Sequence, residues 1–332
     1  MLCVAHEANG STSLPARNAL FGFLKGPMKK KQFILGVGCQ KGGTSWLYEQ
    51  LKICNSVDMG LVKEYHVFDA LYVPDCKKFI NKKSFRKKAI LKQAIKNNSL
   101  IHQLPCLLRS TDFQRNPDNY FKYFEALSRA KKITTVGDIT PSYSALPIEA
   151  LKLIRDNLYD RGFTVKVVFL MRDPIERCWS AVRMHRRTQL EENTNIHFKD
   201  RESEQLAAAY KLNKYEIRTR YEVTIKNLEA VFPSSHIYYG FYERLFTADN
   251  LQEMHDFFEI DEFNPNIEEK FNVSKKTTEN IDAELRNDIF EFYRPTYEFC
   301  DERFDLRDIW PILKNQELKR RDPATSASGD TS

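Results

Sequence analysis

The feature that most narrows how this chain can fold is a cluster of glycines between an apolar run and a helical one. Residues 32–37 (QFILGV) are apolar and lead into Gly36 and Gly38, while Thr44 to Ile53 carries Trp46, Leu47 and Leu51 at helical spacing. A strand that enters glycines and leaves as a helix turns free backbone N–H groups and a positive helix end toward an anion. In the stretch from Gly36 to Leu47, Gly42 and Gly43 allow close backbone approach, Lys41 adds a charge, and Thr44 and Ser45 add hydroxyl donors. The generic Walker loop places its lysine after the glycines, directly before Ser or Thr. Here Lys41 comes first, which argues against a magnesium-dependent NTPase. Taken alone, the loop also reads as a plain glycine turn with a solvated lysine.

The strongest strand signal is Val165 to Met171 (VKVVFLM), β-branched, continuous and stopped by Arg172-Asp173-Pro174. Pro174 suits a first helical position with Asp173 as its N-cap, so a helix is expected onward through Trp179 and Val182. A further strand is expected at His236–Phe241, after an amphipathic helix from about Tyr215 to Val231. Strands alternating with helices imply an α/β fold: a single P-loop-like domain whose central, mostly parallel sheet is flanked by helices. The expected division is a disordered leader over residues 1–31, one domain over 32–315 and a disordered polar tail over 316–332.

Composition excludes several classes. The net charge of +6 suits anionic ligands without choosing among nucleotides, sulfated glycans and nucleic acids. The seven cysteines include no CxxC pair, which disfavours a zinc site and a disulfide framework and leaves reduced thiols as the expectation. There is no run of transmembrane length and no signal-peptide pattern, so a cytoplasmic protein is expected.

Two more segments carry chemistry. Arg172 through Ser180 (RDPIERCWS) sits at the carboxyl end of the strongest strand, where open α/β sheets bind ligands. Lys63-Glu64-Tyr65-His66-Val67-Phe68-Asp69 gathers two carboxylates and an imidazole after the first helix, and an acceptor hydroxyl needs such a base to become a nucleophile.

Together these segments resemble the sulfotransferases that use PAPS (3′-phosphoadenosine 5′-phosphosulfate). The Lys63–Asp69 segment is similar to that of the heparan sulfate (glycosaminoglycan) branch. The resemblance runs, with gaps, from about residue 32 to residue 310. It implies that Lys41, Gly42, Gly43, Thr44, Ser45 and Trp46 hold the 5′-phosphosulfate and that Arg172 and Ser180 grip the 3′-phosphate. It implies Glu64 as the base, with His66 and Asp69 orienting it or the acceptor, and Lys41 as the residue that stabilises the leaving group. Tyr221 and Lys275 match further donor-site positions. PAP is then the product, no metal is required, and the acceptor is a saccharide or another anionic molecule. The chain departs from the family pattern at Val67, at Asp138 and Ile139 where Glu and Lys are usual, and in lacking a disulfide hairpin after Phe271–Lys276.

Two polar inserts remain. Lys77 to Lys96 holds nine cations and no acid, and Arg183 to Lys214, with Arg186, Arg187 and His197, could form a lid. Either face suits a polyanionic acceptor, and either also reads as solvated surface. No aromatic interleaving supports nucleic-acid binding. The competing functions are a P-loop kinase and a non-catalytic glycan-binding protein with a decayed donor site.

Overall fold

Continuous apolar runs form strands that are buried on both faces, and two such runs, residues 31–38 and 163–171, pair in parallel within a five-stranded parallel sheet. The structure is a computed structural model that describes residues 31–60, 62–77, 112–192, 198, 200–268 and 280–314. Its strands are β1 (Lys31–Gly38), β2 (Val57–Asp58), β3 (Thr135–Ile139), β4 (Phe163–Met171) and β5 (Ile237–Phe241). The first helices are α1 (Thr44–Lys52), α2 (Phe68–Tyr72), α3 (Asp112–Arg115), α4 (Asp118–Leu127), α5 (Ile148–Asp160) and α6 (Pro174–Glu192). They are followed by α7 (Glu202–Ala209), α8 (Asn213–Glu216), α9 (Tyr221–Glu229), α10 (Ala248–Phe258), α11 (Ala283–Phe292) and α12 (Arg294–Phe304). The expected α/β architecture is therefore present.

The period-two alternation of the central strands divides the core into two layers. Phe33, Leu35 and Val37 of β1 and Val165, Val167, Phe169 and Met171 of β4 face Ala150, Leu151, Ile154 and Leu158 of α5. Ile34, Val168 and Leu170 face the opposite way, against Trp46, Leu47 and Leu51 of α1 and Met254 and Phe258 of α10. Each large buried side chain contributes about 1.5–3 kcal/mol.

Two sequence expectations need correction. The helix expected over Tyr215–Val231 is broken into α8 and α9, with Arg220 at φ −73°, ψ 73° between them. Arg218, Thr219 and Tyr221 are all buried around this break. Strand β3 was not expected from the sequence, because Gly137 and Asp138 weaken its signal. Its place between β1 and β2 is set by the sheet. Asp138 is held there by hydroxyl hydrogen bonds from Tyr120 (3.0 Å) and Thr140 (2.7 Å), and its burial lifts its pKa to about 6.

The basic stretch Lys78–Lys96, His197, Lys275 and both expected end segments lie outside the described residues, apart from Lys31 at the start of β1. Among the described residues the five cysteines are buried and unbridged. No helix there is long and apolar enough to cross a membrane.

Candidate active site

The chain leaves β1 to build β2 and β3 on one side, then crosses to build β4 on the other. The carboxyl ends of β1 and β4 thus flank the topological switch point, where open sheets form a ligand crevice. The loop after β1 and Arg172 after β4 meet there.

The loop is tightly seated. A Cβ on Gly42 would lie 2.5 Å from the Leu170 carbonyl oxygen, and Gly43 has φ +100° with Leu245 2.4 Å from its would-be Cβ. Only glycine meets both demands. Gly42 N–H donates to the Cys39 carbonyl, and Leu47 N–H begins the helical ladder on Gly43. The N–H groups of Gly43, Thr44, Ser45 and Trp46 open the helix without acceptors among the described residues, leaving an anion-ready end.

Cations converge on this end. Arg172 stacks 4.3 Å over the Tyr242 ring and donates through Nη1 to the Lys41 carbonyl (3.4 Å). Its buried Nε has no partner among the described residues, a donor position suited to an anionic ligand. Burial, together with the charges of Arg187, Arg172, Arg183 and Lys63, lowers the Lys41 pKa to about 8. An anion entering the loop relieves that repulsion.

The candidate base lies alongside. Lys63 donates to Ser45 Oγ and sits 3.6 Å from Glu64 Oε1, tying the Lys63–Asp69 segment to the anion loop. Glu64 Oε2 is 3.3 Å from His66 Nε2, and His66 Nδ1 is 2.6 Å from Asp69 Oδ2. Burial opposes a charge on His66, but hydrogen bonds to Asp69 and Glu64 and their negative charges prevail and raise its pKa to about 9. As an imidazolium it donates to both carboxylates at neutral pH. Lys41, Glu64 and His66 all have positive φ (76°, 64° and 51°), three of the five non-glycine residues that do so among the described residues. Such backbone costs roughly 1–3 kcal/mol per residue and clusters where function demands it.

Several partners escaped the sequence reading. Ser142 donates to Asp69 Oδ2 and lies 3.3 Å from His66 Nδ1, and the Gln114 amide donates to the His66 carbonyl (2.6 Å). Ser142 stands three residues after Ile139, one of the positions compared with the family pattern, but nothing in the sequence marked its role. Tyr242 carried no signal for this site, whereas Arg183 and Arg187 belong to the polar segment Arg183–Lys214 noted in the sequence.

Other expected donor contacts have structural surroundings. Trp46 is buried against Phe246 and donates from Nε1 to the Asn266 carbonyl (3.0 Å). Tyr221 is wholly buried, and its hydroxyl donates to the Arg172 carbonyl (2.8 Å), so it reaches the site only through the backbone it supports. Ser180 is buried on α6, whose start is capped as expected: Asp173 Oδ1 accepts from the N–H groups of Ile175 (2.9 Å) and Glu176 (3.2 Å). Thr44 is buried at the first position of α1.

A solved sulfotransferase from Alicyclobacillus acidocaldarius is 17% identical, covering 80% of this chain and 92% of its own, with a TM-score of 0.48. The sulfotransferase domain of the Synechococcus PCC 7002 olefin synthase is 13% identical, covering 80% of this chain and 96% of that one, with a TM-score of 0.38. The sulfotransferase domain from the curacin biosynthetic pathway is 14% identical over 80% and 98%, with a TM-score of 0.39. Among curated proteins none matches. The profile described as "Sulfotransferase domain" matches residues 31–294, most of the chain, and the protein therefore belongs to the sulfotransferase domain family.

Proposed function

We propose that the protein transfers a sulfuryl group from PAPS to a hydroxyl or amine of a saccharide acceptor, with Glu64 as general base. The observation that carries this reading is the convergence of Lys41, Lys63 and Arg172 on a helix end with open N–H groups, beside the Glu64–His66–Asp69 row. The donor supplies the sulfuryl group and leaves as PAP. The N–H groups of Gly43 to Trp46, with Lys41 and the Thr44 and Ser45 hydroxyls, hold the 5′-phosphosulfate, while Arg172 and Ser180 hold the 3′-phosphate.

In the transfer, Glu64 removes the acceptor proton as the new bond to sulfur forms and the sulfur–oxygen bond to the 5′-phosphate breaks. Lys41 and the loop N–H groups meet the negative charge left on the phosphate oxygen; such preorganised donors commonly contribute several kcal/mol. The His66 imidazolium aims Glu64, and Asp69 and Ser142 fix the imidazole ring. Lys63, bridging Ser45 and Glu64, couples the base to the anion loop.

The first test is calorimetric binding of PAP against ADP and ATP, with and without Mg²⁺, followed by transfer from labelled PAPS to oligosaccharides. Metal-independent preference for PAP with label transfer is the expected result. Preference for ATP with Mg²⁺ overturns the reading in favour of a kinase, and PAP binding without transfer to any saccharide overturns the acceptor class.

A further inference from the structure

The cations around Lys41 outnumber what the two donor anion positions employ. Lys41 and the loop N–H groups serve one anion, Arg172 and Ser180 the other. Arg183 and Arg187 remain, and both lie on α6 beyond Ser180.

Ser180, Arg183 and Arg187 stand at i, i+3 and i+7, which places them on one stripe of the helix. The seven-residue step from Ser180 to Arg187 spans about 10 Å along the helix axis, so the stripe leads away from the 3′-phosphate position. The Arg183 guanidinium packs 4.6 Å over the Trp179 ring, which holds a half-buried side chain in place. The acids acting on it are Glu202 and Glu176, and Glu176 is shared with Arg172 and Arg286.

Arg187 is paired only loosely. Its Nε is 3.6 Å from Glu191 Oε1, and the Glu191 side chain is 67% exposed. An exposed i,i+4 pair of this kind contributes about 0–1 kcal/mol, so an incoming anion displaces Glu191 at little cost. Arg183 and Arg187 nevertheless stay with the site: α6 starts directly after the carboxyl end of β4, at the rim of the crevice, and the charges of both arginines act on Lys41. Guanidinium forks bind carboxylate and sulfate groups through two parallel hydrogen bonds, which fixes orientation as well as affinity.

Resting on the sulfuryl-transfer reading above, we propose that Arg183 and Arg187 form an anion subsite for the acceptor, selecting substrates with a carboxylate or sulfate ester near the group to be modified. The pair acts in binding and positioning, while Glu64 and Lys41 serve the bond changes.

The test uses the full chain saturated with PAP. Calorimetry compares a hyaluronan hexasaccharide, which carries carboxylates, with the neutral chitin hexasaccharide. The wild-type protein is expected to bind the charged sugar at least tenfold more tightly. Arg187→Ala and Arg183→Ala should each erase most of that preference, Arg187→Lys should retain part of it, and PAP affinity should stay within about threefold. Thermal midpoints within a few degrees of wild type establish that the variants fold. A wild-type protein that takes both sugars equally, or neither, overturns the subsite while leaving donor binding intact. Variants that lose PAP affinity as much as sugar affinity assign the arginines to the donor instead. Failure of the wild-type protein to bind PAP removes the sulfuryl-transfer reading itself, and the subsite with it.

Discussion

Raising the pH from 7 to 9 should weaken PAP binding about tenfold through Lys41 alone. Burial and four neighbouring cations hold the Lys41 pKa near 8 in the free protein. Roughly nine in ten Lys41 side chains are then charged at pH 7 and roughly one in ten at pH 9. Because the bound anion requires the ammonium form, the fraction competent to bind falls by about tenfold, equivalent to about 1.4 kcal/mol. The phosphate groups of the ligand lose their second protons near pH 6 and contribute no slope in this window. Calorimetry at pH 8 in buffers of different ionisation enthalpy should also reveal uptake of about half a proton per PAP bound. Lys41→Arg supplies the control, since a guanidinium stays charged throughout. A flat wild-type profile, or an equal slope in Lys41→Arg, refutes the argument that crowded cations depress Lys41.

Glu64→Gln should lower turnover by about 10²–10⁴-fold with PAP affinity nearly unchanged, measured by label transfer and calorimetry; equal losses in both would make Glu64 a binding or folding residue. The His66 pKa is raised from 6.5 to about 9, so its contribution to stability is full below pH 6.5 and fades as pH climbs toward 9. Thermal midpoints should fall across that window in the wild-type protein, and His66→Gln should flatten the decline; an undiminished slope in the variant removes His66 as its source. Tyr221→Phe leaves the half-buried Arg172 carbonyl without its hydroxyl donor and should cost about 1 kcal/mol in denaturant unfolding, with PAP affinity within about threefold. Lost affinity at unchanged stability would instead make Tyr221 a ligand contact.

The anion loop was legible because its chemistry is local. A strand, two glycines and a helix start within a dozen residues fix where the free N–H groups point, and β1 and α1 form within a residue or so of their expected ends. The capped start of α6 was equally local, since one aspartate and one proline determine it. Glu64, His66 and Asp69 were singled out as a group, and the structure brings them within hydrogen-bonding distance of one another, although their backbone conformation left no trace in residue type. The surroundings of Trp46 and Tyr221 were not legible: their side chains are buried against Phe246 and the Arg172 carbonyl, which residue type alone does not give.

By itself the sequence determined the strand–loop–helix unit, the parallel α/β class and the residue types on which anion and proton chemistry can rest. Only the tertiary structure decided that β3 lies between β1 and β2 despite its glycine and aspartate, that Ser142 and Gln114 brace the His66 row, and that Arg187 shares a field with Lys41 across 146 positions of chain. The physical reason is range. Turns, caps and helix starts are settled by neighbours in sequence, whereas the burial of Asp138 and the lowered pKa of Lys41 come from groups that meet only when the sheet assembles.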